Sequence, residues 1–104
     1  MKSSRLETYL KEVAAIEPLH SWEETALLAR KEWDTTARER LQHAYLHRVV
    51  TMAQGMNVTA PLLDVIQEGN VGLALAIRKY QRGNLTDYVD HFIRRAIQRR
   101  FHTE

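Results

Sequence analysis

The chain has 104 residues and a mass of 12.1 kDa, enough for one domain that buries about two-thirds of the surface its unfolded form exposes. It contains no cysteine, which excludes disulfides and thiolate ligands; it has no run near the roughly 20 apolar residues that span a bilayer, and its opening MKSSRLETYLKEV lacks a signal-peptide core. Net charge is only +2, but residues 1–70 carry 8 Lys/Arg against 10 Asp/Glu and residues 71–104 carry 7 against 3, so halves of −2 and +4 suggest a basic C-terminal surface meeting a polyanion, within a cytoplasmic protein that has no membrane partner.

Apolar residues recur at three- and four-residue steps, and only four glycines and two prolines interrupt them, which predicts an all-α, compact helical bundle of about five helices. A first helix, about 4–15, sets Leu6, Tyr9, Leu10 and Val13 on one face and ends before Pro18. Ser21-Trp22-Glu23-Glu24 is a capping-box pattern, Ser21 accepting from an early amide and Glu24 reaching back, that starts a second helix over about 22–32 with Ala26, Leu27 and Trp33 inward. Asp34 or Thr35 then caps a long third helix, about 36–55, with Ala37, Leu41, Ala44, Tyr45 and Val49 as its apolar stripe. Pro61 suits the first turn of a fourth helix, about 61–81. Arg82-Gly83-Asn84 breaks the chain, and Thr86 caps a last helix, about 87–101, whose broad apolar face holds Tyr88, Val89, Phe92, Ile93, Ala96 and Ile97.

The fourth helix is unusual in holding Gly69, Asn70 and Gly72, because an interior glycine is less favourable than alanine by about 1 kcal/mol. Two glycines three apart remove side chains where another backbone can approach closely. Asp64 and Glu68 align at i, i+4, with Gln67 and Asn70 three apart beside them, giving either a solvated edge or a docking surface.

The stretch DVIQEGNVGL closely resembles DLIQEGNIGL of the sigma-70 family of bacterial transcription initiation factors. The resemblance runs in order along nearly all of the chain. Tyr9-Leu10-Lys11-Glu12-Val13 is similar to the family's YLxEI, and Glu23-Glu24 with Leu28-Ala29 to its EE…LA segment. Leu46-His47-Arg48-Val49-Val50 with Ala53 is similar to LRLVVxxA, and Tyr88 with Phe92-Ile93-Arg94-Arg95-Ala96-Ile97 to YATWWIRQAI. The match covers a single domain over residues 1–104, resembling the family's region 1.2 and region 2 as far as the start of the promoter-reading helix.

The resemblance implies that Asp64, Gln67, Glu68 and Asn70 bind RNA polymerase core at the clamp coiled coil. It further implies that Lys79, Tyr80, Tyr88, His91, Phe92, Arg94, Arg95, Gln98 and Arg99 occupy places facing promoter DNA, on the non-template strand of the minus-ten element. There, aromatic faces stack on splayed bases and cations neutralise phosphates. Arg95 and Gln98 stand where the family reads the duplex edge, Arg95 favouring guanine or touching phosphate. Tyr80 also fits a core position, Tyr88 and Phe92 fit core and DNA surface equally, and Arg99 and Arg100 fit phosphate contacts or solubility charges. An anti-sigma factor is a further partner the family implies.

The sequence departs from the family at His91 and Phe92, which stand where it has paired tryptophans, and at Gly83-Asn84-Leu85-Thr86, which lacks the phenylalanines of its GFKFST segment. Two functions therefore remain open: a promoter-opening sigma domain, or a stand-alone sigma-like protein that binds polymerase and competes with or modifies sigma without reading DNA. Both chain ends fit a complete short protein and a fragment alike. An enzyme or metal site is not expected. Glu39, His43 and His47 fall at i, i+4, i+8, but no HExxH pattern and no cysteine support them, His20 and His102 support no site, and no cofactor is implied.

Overall fold

Local capping chemistry starts the helices within residues 4–101, the span that the computed structural model describes. In α1 (Arg5–Ala14) the Ser4 hydroxyl accepts from the Glu7 N–H at 3.0 Å while the Glu7 carboxylate accepts from the Ser4 N–H at 3.4 Å, a reciprocal capping box. In α2 (Ser21–Arg30) the carboxylate that reaches back is Glu23, accepting from the His20 N–H at 3.0 Å, one residue earlier than expected. Glu24 is thereby left to accept from the Tyr45 hydroxyl. Asp34 caps α3 (Thr35–Ala44) by accepting from the Ala37 N–H at 3.2 Å, a bond that holds its carboxyl below the usual range.

The expected third helix is two helices, α3 and α4 (Leu46–Gly55), so the described residues hold six helices and no strand. The break is Tyr45, with φ −101° and ψ 4°, whose carbonyl accepts from the Arg48 N–H three residues on, at 3.0 Å. Its buried ring carries a hydroxyl that meets Glu24 of α2 and lies 3.4 Å from the Thr86 hydroxyl. Burial and the Glu24 acceptor push the Tyr45 phenol up to about 12. No proline or glycine marks this break.

Pro61 occupies the cap position before α5 (Leu62–Lys79), rather than its first turn, and its carbonyl accepts from Asp64 and Val65. Tyr80 ends α5 in an extended conformation two residues early, its hydroxyl donating to the Gly83 carbonyl at 2.5 Å. Gly83 has φ +96°, a left-handed conformation that favours glycine in this turn. The helix that follows, α6 (Leu85–Phe101), is capped by Asn84, whose side-chain oxygen accepts from the Asp87 N–H at 2.9 Å; the expected cap, Thr86, lies inside the first turn.

The core gathers Leu41 and Val49 from α3 and α4, Ile66, Leu73 and Ile77 from α5, and Val89, Ile93 and Ile97 from α6, all essentially fully buried. Each such side chain contributes roughly 1.5–3 kcal/mol relative to exposure. The most extensive contact is α5 on α6. At Gly72 an added Cβ would meet the Phe92 carbonyl oxygen at 2.5 Å and Ala96 Cβ at 2.9 Å; at Gly69 it would meet Val49 Cγ1 at 2.7 Å. Gly72 is thus the close backbone approach that the spacing implies, whereas Gly69 makes room for side chains of α4 and α6.

Polar links fix the periphery. Lys31, only 5% exposed, donates to Glu32 at 2.7 Å and to the carbonyl of Arg78 at 3.2 Å, placing a cation at the C-terminal end of α5. Arg48 of α4 makes a two-point pair with Asp90 of α6, which raises its guanidinium pKa above the ordinary value. Leu27 packs inward as expected, but Trp33 and Ala26 are exposed, because α2 packs mainly on α3 and turns Leu28 inward beside Leu27. No helix among the described residues is long and apolar enough to cross a membrane.

Candidate functional site

Between α5 and α6 lies an open groove of about 710 Å³. Its α5 wall is Glu68, Val71, Gly72, Leu75 and Lys79, spaced at three- and four-residue steps, and its α6 wall includes His91, Phe92, Arg95, Ala96 and Arg99. The absence of a side chain at Gly72 lets the helices approach closely at Phe92 and Ala96, which with Gly72 make an apolar floor. Val71 is 60% exposed along this wall and Leu75 is exposed beside it, two apolar contributors that the motif comparison alone did not single out.

The four motif residues of α5 separate in space. Asp64 and Gln67 are exposed, and Glu68 is half-buried at the groove. Asn70 turns toward α1, its amide donating to the Tyr9 hydroxyl at 3.3 Å, while its side-chain oxygen is buried without a hydrogen-bond partner among the described residues. With Gln67, Asn70 lines a second groove of about 400 Å³ whose other wall includes Arg5, Tyr9 and Glu12 of α1.

On α6, at 100° per residue, Arg94, Gln98, His91, Arg95 and Arg99 follow one another round the face opposite Ile93 and Ile97. Arg95 and Arg99 border the α5 groove, whereas Arg94 borders a smaller groove with Arg48, Met52 and Met56 of the α4 region. Gln98 is half-buried; His91, Arg94, Arg95 and Arg99 are exposed, as is Lys79 at the end of α5. Among the described residues Lys79, Arg94, Arg95 and Arg99 have no carboxylate within salt-bridge distance, and Arg48 already engages Asp90. The face is therefore cationic.

The aromatic side chains form a connected row. Tyr80 meets Tyr88 edge-on at 5.6 Å, Tyr88 meets Phe92 at 4.8 Å, and His91 stands edge-on to Phe92 at 5.8 Å. Tyr80, Tyr88 and Phe92 are half-buried and pack on the core, whereas His91 is the exposed ring of the row. Tyr88 and Phe92 thus support the core and border the surface.

Among the described residues no group of three His, Cys, Asp or Glu side chains is arranged to hold a metal ion. The break at Tyr45 puts His47 on a different helix from Glu39 and His43, with its Nδ1 3.1 Å from the Ala44 carbonyl. His102 lies outside the described residues.

Over 96 residues, 88% of this chain, the sequence is 40% identical to the RNA polymerase sigma factor SigA of Listeria monocytogenes. It matches the proteins of that name from Listeria innocua and Clostridium acetobutylicum with the same identity and share. The matched segment is 26% of each Listeria protein and 25% of the Clostridium protein, so the chain spans about a quarter of the length of these relatives. No protein-family model matches it.

Proposed function

We propose that this chain, a sigma-70 family region, docks on the clamp coiled coil of RNA polymerase core through the α5 edge and presents the cationic face of α6 to the non-template strand of the minus-ten promoter element. The observation that supports this reading is the α5–α6 groove: Glu68, from the motif edge, and Lys79, His91, Phe92, Arg95 and Arg99 border one depression, so the motif edge and the basic face of α6 adjoin. Asp64, Gln67 and Glu68 offer carboxylate and amide groups to Arg, Lys and backbone groups of a partner helix, with Val71 and Leu75 supplying apolar contact beside them. Asn70 acts from behind, tying that edge to Tyr9 of α1.

On the DNA side Lys79, Arg94, Arg95 and Arg99 neutralise phosphates, and His91 with the half-buried Tyr88 and Phe92 packs against unstacked bases. Arg95, exposed beside the groove, has the donor fork to contact guanine in the duplex edge, with Gln98 next to it. The setting this function requires is the bacterial cytoplasm, and the reaction it serves is transcription initiation.

Titration against an isolated clamp coiled-coil fragment tests the assignment. Gln67→Ala combined with Glu68→Ala should weaken binding by about tenfold or more, the loss of roughly 1.4 kcal/mol or greater. Unchanged affinity in a folded variant would assign docking to a different surface.

A further inference from the structure

Both tryptophans of the chain lie on its outside, Trp22 71% and Trp33 73% exposed, although tryptophan is ordinarily well covered. They belong to one stripe. At 100° per residue Trp22, Ala26, Ala29 and Trp33 fall within about 60° of one another, and all four are exposed. Trp33 follows the end of α2 in a turn that continues its spiral: Lys31 is helical at φ −63° and ψ −24°, and the Trp33 and Asp34 N–H groups both donate to the Arg30 carbonyl. The inner side of the same segment is held by Leu27, Leu28 and the buried Lys31, so the stripe cannot turn inward without dismantling those contacts.

The order of the stripe is a palindrome. From Trp22 the steps are four, three and four residues, so a two-fold axis between Leu27 and Leu28 brings Trp22 opposite Trp33 of a second copy and Ala26 opposite Ala29. Alanines at the crossing let the helices approach, and indoles close both ends. The flanks agree with this operator. Glu23 and Arg30 share one side of the stripe, Thr25 and Glu32 the other; in an antiparallel pair each flank meets its own copy, which sets Glu23 against Arg30 and Thr25 against Glu32. Arg30 is exposed and bonds Asp34 through Nε at 3.3 Å, and one Glu23 oxygen caps the His20 N–H, so the remaining guanidinium N–H groups and the other carboxylate oxygen make this contact.

We propose that the Trp22–Ala26–Ala29–Trp33 face of α2 is an isologous, antiparallel contact between two copies of this chain. Four indoles, each able to bury roughly 150–250 Å², supply about 600–1,000 Å² before the flanks are added, the class of reversible association rather than of permanent dimers. The contact is remote in sequence from the α5–α6 groove and does not depend on the function proposed for that groove.

Sedimentation of the full 104-residue chain, with tryptophan emission read on the same samples, tests the proposal, because the two tryptophans of the stripe are the only ones present. Between ~1 μM and ~1 mM protein, the span in which an interface of this class half-associates, the mass should rise toward that of a dimer as emission moves to shorter wavelength. Trp22→Ser should weaken association about tenfold or more, and Arg30→Glu should do likewise by setting Glu23 against a like charge. The pair Glu23→Lys with Arg30→Glu should restore association to within about threefold of the original, a pairwise coupling that lost packing alone would not give, with far-UV circular dichroism reading whether α2 survives the loss of its Glu23 cap. A chain that stays monomeric across this range overturns the proposal, and so does a dimer that Trp22→Ser and Arg30→Glu leave unchanged.

Discussion

Alanine at position 72 sets two opposed effects against each other. Local helix propensity favours the substitution by about 1 kcal/mol, since glycine is the poorer helix residue. The packing opposes it: the new Cβ would stand 2.5 Å from the Phe92 carbonyl oxygen and 2.9 Å from Ala96 Cβ, and the nearer obstacle is backbone that no rotamer change can move. Relief requires α5 and α6 to part by roughly 1 Å, and a radial gap of 0.5–1 Å forfeits about a quarter to a half of each affected dispersion contact. Overpacking of this kind costs about 1–3 kcal/mol, and the carbonyl obstacle puts position 72 at the upper end, so a net destabilisation of about 1–2 kcal/mol is expected. Urea denaturation followed by far-UV circular dichroism measures it, with a melting temperature about 4–8 °C lower for each kcal/mol. Gly69→Ala is the control, because there the obstacle is the side chain of Val49, at 2.7 Å. Combining it with Val49→Ala should destabilise less than the sum of the single changes, by about 1 kcal/mol or more. A Gly72→Ala protein that melts above the parent would refute the close-packing argument.

Tyr45 makes stability depend on alkaline pH. Its phenol pKa, raised to about 12 by burial and by Glu24, exceeds the ordinary value near 10, so stability is complete below about pH 10 and falls as pH rises through about 12, by roughly 2–3 kcal/mol. Tyr45→Phe should remove this component, and parallel pH–stability curves for the two proteins would contradict it. Single-stranded minus-ten-like DNA should bind the isolated chain weakly and with a steep salt dependence, Arg95→Ala with Arg99→Ala reducing affinity more than Phe92→Ala does, because the Phe92 ring is already engaged by Tyr88. Fluorescence anisotropy on matched and scrambled strands decides this, and a large loss from Phe92→Ala on the matched strand alone would show stacking to dominate.

The apolar stripe Ala37, Leu41, Ala44, Tyr45 and Val49 was legible because the interruption at Tyr45 is a single residue, so the period carries across it and all five are buried. The interruption itself was not legible. It accompanies hydrogen bonds to Glu24 and Thr86, 21 and 41 positions away, which no local pattern encodes. Gly69 and Gly72 were readable because glycine inside a helix has a local cost that invites a packing cause. Trp33 departs from its expected burial for the converse reason: hydrophobicity gives a preference for cover, but whether an element supplies that cover is a tertiary matter, and the 22, 26, 29, 33 spacing is the signal of an outward stripe. In the candidate site, the common side of α5 shared by Asp64, Gln67 and Glu68 could be read from the helical period, whereas the turning of Asn70 toward Tyr9, 61 positions away, could not.

Binding of a fluorescent minus-ten non-template oligonucleotide to RNA polymerase core, with and without this chain, tests the adjoining-surface account most directly. The chain should raise the affinity of core for the matched strand above its affinity for a scrambled one. Gln67→Ala with Glu68→Ala should abolish the gain by releasing the chain from core, and Arg95→Ala with Arg99→Ala should abolish it while the chain remains bound. Core that binds the matched strand no better with the chain than without it, under conditions where the chain is bound, would contradict the account.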